Sequence, residues 1–136
     1  MSEKKVLIEI GKEKAIAKLY DTSPKFAQAI WDILPTEGPA SHAKTSGGEI
    51  MWPIPLYTAG IIPPEGKPTI LKNGHIGYWS MRGTICIFYD ELTPFMVEKP
   101  SLPVGEVIEN LEGLQREGRK LWEYQGKTVK MSRYKE

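Results

Sequence analysis

The side chains with chemistry to offer gather in a few stretches of this 136-residue chain: His42 and Glu49 flank Ser46-Gly47-Gly48, His75 follows Asn73-Gly74, and Cys86 stands inside the apolar run Thr84–Tyr89. Imidazole with carboxylate suits zinc or iron, so His42, His75 and Glu49 are the residues to weigh as ligands. The chain has 2 histidines and no His-x-His or His-x-x-x-His spacing, so such a site would be sparse. Surface turn residues are the simpler reading of both, and neither metal nor cofactor is expected. Cys86 with His42 and an acid would make a nucleophilic thiol, but a cysteine inside an apolar strand reads as inert core. Gly47-Gly48 reads as two glycines in a hairpin, and the chain has no phosphate-cradling loop.

Aromatic residues are the stronger signal. Trp52, Tyr78, Trp79, Phe88 and Tyr89 fall on short apolar stretches. Period-two alternation sends Tyr78 and Trp79 to opposite faces, so about half of the group packs a core and half can line a cleft. Tyr and Trp bring a large apolar face with one polar handle, which suits a peptide or a small ring compound. With His42, Glu49 and Arg82 they make the candidate pocket: His42, Glu49, Trp52, Tyr78, Trp79, Arg82 and Phe88.

Composition narrows the partners. Net charge is +1, without the basic excess of a general nucleic-acid binder. Lys127, Lys130, Arg133 and Lys135 alternate with Val129, Met131 and Tyr134, the pattern of a strand with a solvated face. A single cysteine excludes an internal disulfide, and no apolar run approaches a membrane span or a signal-peptide core. One domain over residues 1–136, in a reducing cytoplasmic setting and without a membrane partner, is therefore expected.

The elements that must position these residues are mostly strands. Val6–Ile10 and Ala15–Tyr20, separated by Gly11-Lys12-Glu13-Lys14, read as a hairpin. Ser23 as cap, Pro24 at the first turn and Phe26, Ile30, Ile33 and Leu34 at helical spacing predict a helix that Pro35 stops. A second hairpin is expected from 40–45 and 49–54, with Pro53 ending its strand or placing it on an edge. Residues 58–68 read as a loop, Ile76–Trp79 as a short strand and Met81-Arg82-Gly83 as a turn. Thr84–Tyr89 reads as a central strand covered on both faces. A Pro-rich loop over 90–103, a strand over 104–108, a weak short helix over 111–121 and a strand over 128–134 complete the chain. So many short strands argue for a barrel or a sandwich, and the early helix weighs against an immunoglobulin-like sandwich.

Three stretches resemble a family of small cyclophilin-like barrel proteins from archaea and bacteria: residues 29–40 at the helix exit, Gly48-Glu49-Ile50-Met51-Trp52, and Asn73-Gly74-His75-Ile76-Gly77-Tyr78-Trp79 with Cys86-Ile87-Phe88-Tyr89 and Thr93-Pro94. Order and spacing are similar over most of residues 5–108. The chain departs at Gly47, where the family often has Trp, at Ser80-Met81-Arg82-Gly83, at His75, and in a longer segment around Trp122-Glu123-Tyr124-Gln125. The resemblance implies a mostly β fold: a closed cyclophilin-like antiparallel β-barrel of about eight strands with one or two capping helices.

Cyclophilins proper are prolyl isomerases, and Ser41-His42-Ala43-Lys44 ahead of Ser46-Gly47-Gly48-Glu49 is similar to their layout. Ala43 takes the arginine's place, and Lys44 is a point charge rather than a planar fork. The expectation is a barrel that binds a small molecule or an extended peptide on its face. A divergent peptidyl-prolyl isomerase using Arg82 or Lys44 is the alternative.

Overall fold

The computed structural model describes residues 3–54, 56, 68–79, 83–97 and 101–135. The loop expected over 58–68 lies outside them apart from Pro68, as do Met81 and Arg82 of the turn expected before Thr84.

Among the described residues, nine strands form one antiparallel sheet that curls into a nearly closed barrel. The first hairpin joins β1 (Lys5–Ile10) to β2 (Glu13–Leu19). Its turn is only Gly11-Lys12, tighter than the sequence suggests, because Gly11 takes φ 58, which a side chain would oppose. The helix α1 (Pro24–Ile33) follows, with Pro24 in its first turn and Ile30 and Ala27 buried. Ser23 holds the cap position, where its carbonyl accepts from Ala27 N–H, but its side chain makes no capping hydrogen bond.

After the helix the chain runs through β3 (Thr36–Pro39), β4 (Ser41–His42), a 3-10 turn over Lys44–Ser46 and β5 (Gly47–Pro53). The expected second hairpin is thus a short strand, a helical turn and a long strand. Then come β6 (His75–Trp79), β7 (Thr84–Leu92), the single turn α2 (Pro94–Val97), β8 (Gly105–Glu109), α3 (Leu111–Glu123) and β9 (Thr128–Arg133). The hydrogen-bonded order is β3-β9-β1-β2-β8-β6-β7-β5-β4. The two outermost strands, β3 and β4, are separated by Ala40 alone. The first half of one short run pairs with β9 and the second half with β5, so the chain itself bridges the seam.

Alternation decides what faces inward. Val6, Ile8 and Ile10, Ala15, Ala17 and Leu19, Ile50 and Trp52, Ile85, Ile87 and Tyr89, and Val129 and Met131 meet in one buried cluster. The other face of β7 is covered as well: Cys86 and Phe88 form a second cluster with Leu71 and Met96, and Met51 and Leu92 pack against it. That double burial is what the unbroken apolar run at Thr84–Tyr89 implies.

The element least visible in the sequence is α3. Its 13 residues include Gly113 and Gly118, which lower helix propensity. Both glycines lie on the buried stripe with Leu114, Glu117 and Leu121. A Cβ added at Gly118 would come within 2.6 Å of the Tyr89 ring, so only a bare backbone lets helix and strand approach this closely. Asn110 caps the helix from a left-handed conformation, accepting from Gly113 N–H at 3.1 Å while its amide donates to the Lys14 carbonyl at 2.8 Å. In this way α3 is tied to the first hairpin and packs on β2, β4, β5 and β7.

Candidate functional site

The candidate residues divide between the two faces of the barrel wall. His42 pairs with Ile50 across β4 and β5, whereas Glu49 pairs with Phe88 across β5 and β7. Neighbours on β5 point oppositely, so the imidazole and the carboxyl group are sent to different faces. The joint His42–Glu49 site considered from the sequence does not assemble. Among the described residues, no group of three or more His, Cys, Asp or Glu is placed to hold a metal. Trp52 is inward and 1% exposed, its indole nitrogen lacking a hydrogen-bond partner among the described residues. Tyr78 packs on that same core and tilts against Phe26 at 4.7 Å. Glu49, Phe88 and Trp79 are on the outward side, and Arg82 lies outside the described residues.

The outward group has the stronger geometry for binding. Its floor is Cys86, Phe88 and Glu49, all at most 2% exposed, and Cys86 and Phe88 pack with Leu71 and Met96. Gly77 stands opposite Cys86 in the β6–β7 register and sets no side chain over it; an added Cβ would meet the thiol sulfur at 3.2 Å. Burial pushes the Cys86 thiol well up from its usual value, and the Glu49 carboxylate beside it, to which it is hydrogen-bonded, pushes it further. The Trp79 indole also reaches the sulfur, while its ring remains 42% exposed at the rim. A protonated thiol of this kind is a weak hydrogen-bond donor and a poor nucleophile. The arrangement offers an acidic group at the base of an apolar, aromatic-edged surface.

The inward side brings together a different set at α3. His42 is 5% exposed, not the surface turn residue its sequence context suggests, because β4 turns it under the helix. Its Nε2 lies 2.6 Å from the Tyr89 hydroxyl, and its backbone N–H donates to Gln125 Oε1 at 3.1 Å. Burial, with the Lys44 ammonium adding to it, holds the imidazole below its ordinary value. Burial likewise raises the Tyr89 phenol, with Asp90 adding and Arg119 opposing. The rings of Trp122 and His42 meet in a T-shaped contact at 4.7 Å between centroids. Sequence reasoning names Tyr89 only as one aromatic among several and assigns no role to Trp122. The signal available was an aromatic residue one position beyond the apolar stripe of α3, which has no meaning until the helix is docked. His75, by contrast, is half-buried, and its Nδ1 accepts the Lys72 N–H at 3.0 Å, closing the Asn73-Gly74 turn.

Among solved structures, McbB in complex with tryptophan superposes with a TM-score of 0.82 at 22% identity, covering 96% of this chain and 45% of that one. The chain therefore spans less than half the length of McbB. The solution structure of the hypothetical protein AF2241 from Archaeoglobus fulgidus gives a TM-score of 0.68 at 23% identity, covering 97% of this chain and 95% of that one. At these identities both likenesses concern the fold alone. No curated protein matches. The cyclophilin-like family profile matches residues 4–121, and with the barrel described above it places this chain in the cyclophilin-like family.

Proposed function

We propose that the outward face of the β6–β7–β5 wall binds a small molecule, with Glu49 receiving an amine and Trp79 covering an attached ring. The observation that carries this reading is a carboxyl side chain, 1% exposed, set outward from a barrel wall into a cluster of apolar side chains. Outward positions on a barrel are ordinarily solvated, and a carboxylate taken out of water costs several kcal/mol by order of magnitude. A cationic amine on a ligand would add a charge-assisted hydrogen bond to that carboxylate. The half-exposed indole of Trp79 supplies the aromatic surface, and Met96, packed in the same cluster, is an adaptable neighbour. A structural neighbour solved with tryptophan, an amino acid that carries an ammonium group and an indole ring, is consistent with this chemistry.

Prolyl isomerisation has less support. Ala43 stands at the arginine's place, and Lys44, one of the two cations either of which that reading could use, has its ammonium 5.2 Å from the Trp122 ring centroid.

Titration calorimetry with tryptamine, tryptophan and 3-methylindole tests the proposal. Tryptamine and tryptophan should bind and 3-methylindole should not. Glu49→Gln should weaken tryptamine by at least about tenfold, the scale of one charge-assisted hydrogen bond. Equal affinity for the amine and for the neutral indole, or an unchanged Glu49→Gln protein, would overturn it.

A further inference from the structure

A second group of polar side chains lies away from the outward face, where the last turn of α3 passes over β4. Tyr89 and His42 share a hydrogen bond of 2.6 Å. Burial keeps the phenol protonated, so its hydrogen needs an acceptor, and His42 Nε2 is the acceptor within reach. The imidazole hydrogen then belongs on Nδ1. That nitrogen is buried and has no hydrogen-bond partner among the described residues. Buried donors are rarely left unmatched in folded proteins. Two further features frame it: Trp122, in a T-shaped contact with His42 and 44% exposed, and the Lys44 ammonium at 5.2 Å from the Trp122 ring centroid. A neutral N–H donor and a fixed positive charge beside an indole that solvent reaches together call for an anionic oxygen carried on a flat ring.

We infer that the junction of β4 and α3 is a second binding site, taking a small aromatic carboxylate whose oxygens meet His42 Nδ1–H and Lys44 and whose ring lies against Trp122. Binding requires the half-exposed Trp122 side chain to move aside from the imidazole. Gln125 holds the His42 backbone in place while it does so, through the 3.1 Å hydrogen bond to His42 N–H. The site is independent of the amine site proposed above, which faces the other side of the wall.

Sodium benzoate is the probe, added to full-length protein labelled with 15N-histidine. Histidine ring nitrogen shifts should show the Nδ1–H tautomer for His42, and benzoate should move the His42 signals while leaving those of His75 in place. Lys44→Gln, a change at a side chain on a short surface turn, should weaken benzoate about tenfold, as loss of one charge-assisted contact does. His42→Phe should abolish binding, and Lys130→Gln, which removes an exposed cation on β9, should leave it unchanged. An Nε2–H tautomer would overturn the inference. So would still His42 signals at about 20 mM benzoate, a concentration that reveals even millimolar affinity, or equal affinity in wild type and Lys44→Gln.

Discussion

Two glutamates are each 1% exposed in this barrel, and their surroundings differ in kind. Glu117, on α3, meets Lys127 at 2.8 Å and Lys120 at 3.0 Å, one lysine for each carboxylate oxygen. Burial works to raise its carboxyl group, but the hydrogen bonds from Lys127 and Lys120 outweigh it and hold the group below its ordinary value. It also lies against Gly11, where any side chain on the hairpin turn would run into its carboxylate. Glu117 thus clamps helix, hairpin and the residue just before β9 to one another. Glu49 sits instead beside a thiol in an outward-facing apolar cluster. A carboxylate gripped by two ammonium groups has its hydrogen-bonding capacity committed to the fold. The Glu49 carboxylate faces a neutral, weakly donating thiol among apolar side chains, where Glu117 faces two ammonium groups. Equal burial alone does not separate the two roles.

The comparison is broken most directly at Glu117. Glu117→Gln should lower stability by about 2–4 kcal/mol in urea unfolding, the scale for removing one partner of a buried ion pair, reduced because both lysines reach solvent. A loss below about 0.5 kcal/mol, within the range of ordinary surface changes, would mean the clamp is not holding α3. Gly118→Ala comes next. Its added methyl gains helix propensity but meets the buried Tyr89 ring, and the overlap should dominate with a net loss of about 1–3 kcal/mol. A stabilised protein would show that α3 has room to shift away from β7.

The outward cluster is tested by thiol labelling. Cys86 is fully buried with its acidity suppressed, so an aromatic disulfide reagent at pH 8 should react only as fast as the protein opens. Labelling much faster than global unfolding would sharpen the contrast, locating local opening at the face proposed to bind and not at α3. The smallest effect expected is a pH dependence. The His42 and His75 imidazoles are both held below their ordinary values, chiefly by burial. The unfolded chain therefore binds more protons than the folded one as pH falls below about 6.5, and stability declines through that window. The Glu117 contribution has the same sign at lower pH: it is present above the ordinary carboxyl range and is lost as pH falls through the depressed folded value. Urea midpoints at pH 7.5 and 5.5 should fall for wild type and fall less for His42→Phe. Equal slopes would show that His42 takes up its proton without disturbing the fold.

Most elements were readable from the chain because they depend on neighbours in sequence. Alternation at Val6–Ile10, proline at the start and end of α1, Asn73-Gly74 and the apolar run of β7 are local signals, and each element stands where its signal is. The same alternation sorts Tyr78 from Trp79. Three features depend on distant residues instead. The strand at Thr36–Pro39 exists because β9, some ninety residues later, pairs with it. The helix α3 tolerates two glycines because Tyr89 and Asn110 take up the space their side chains would fill. The candidate site divides because a short β4 and an intervening helical turn set His42 in register with Ile50, sending His42 and Glu49 to opposite faces. What residue order and composition determined by themselves was the strand-rich pattern, the first helix and the aromatic and acidic groups on offer. Only tertiary structure decided which of those groups share a face, because strand register is a long-range property and one residue of offset exchanges the two sides of the wall.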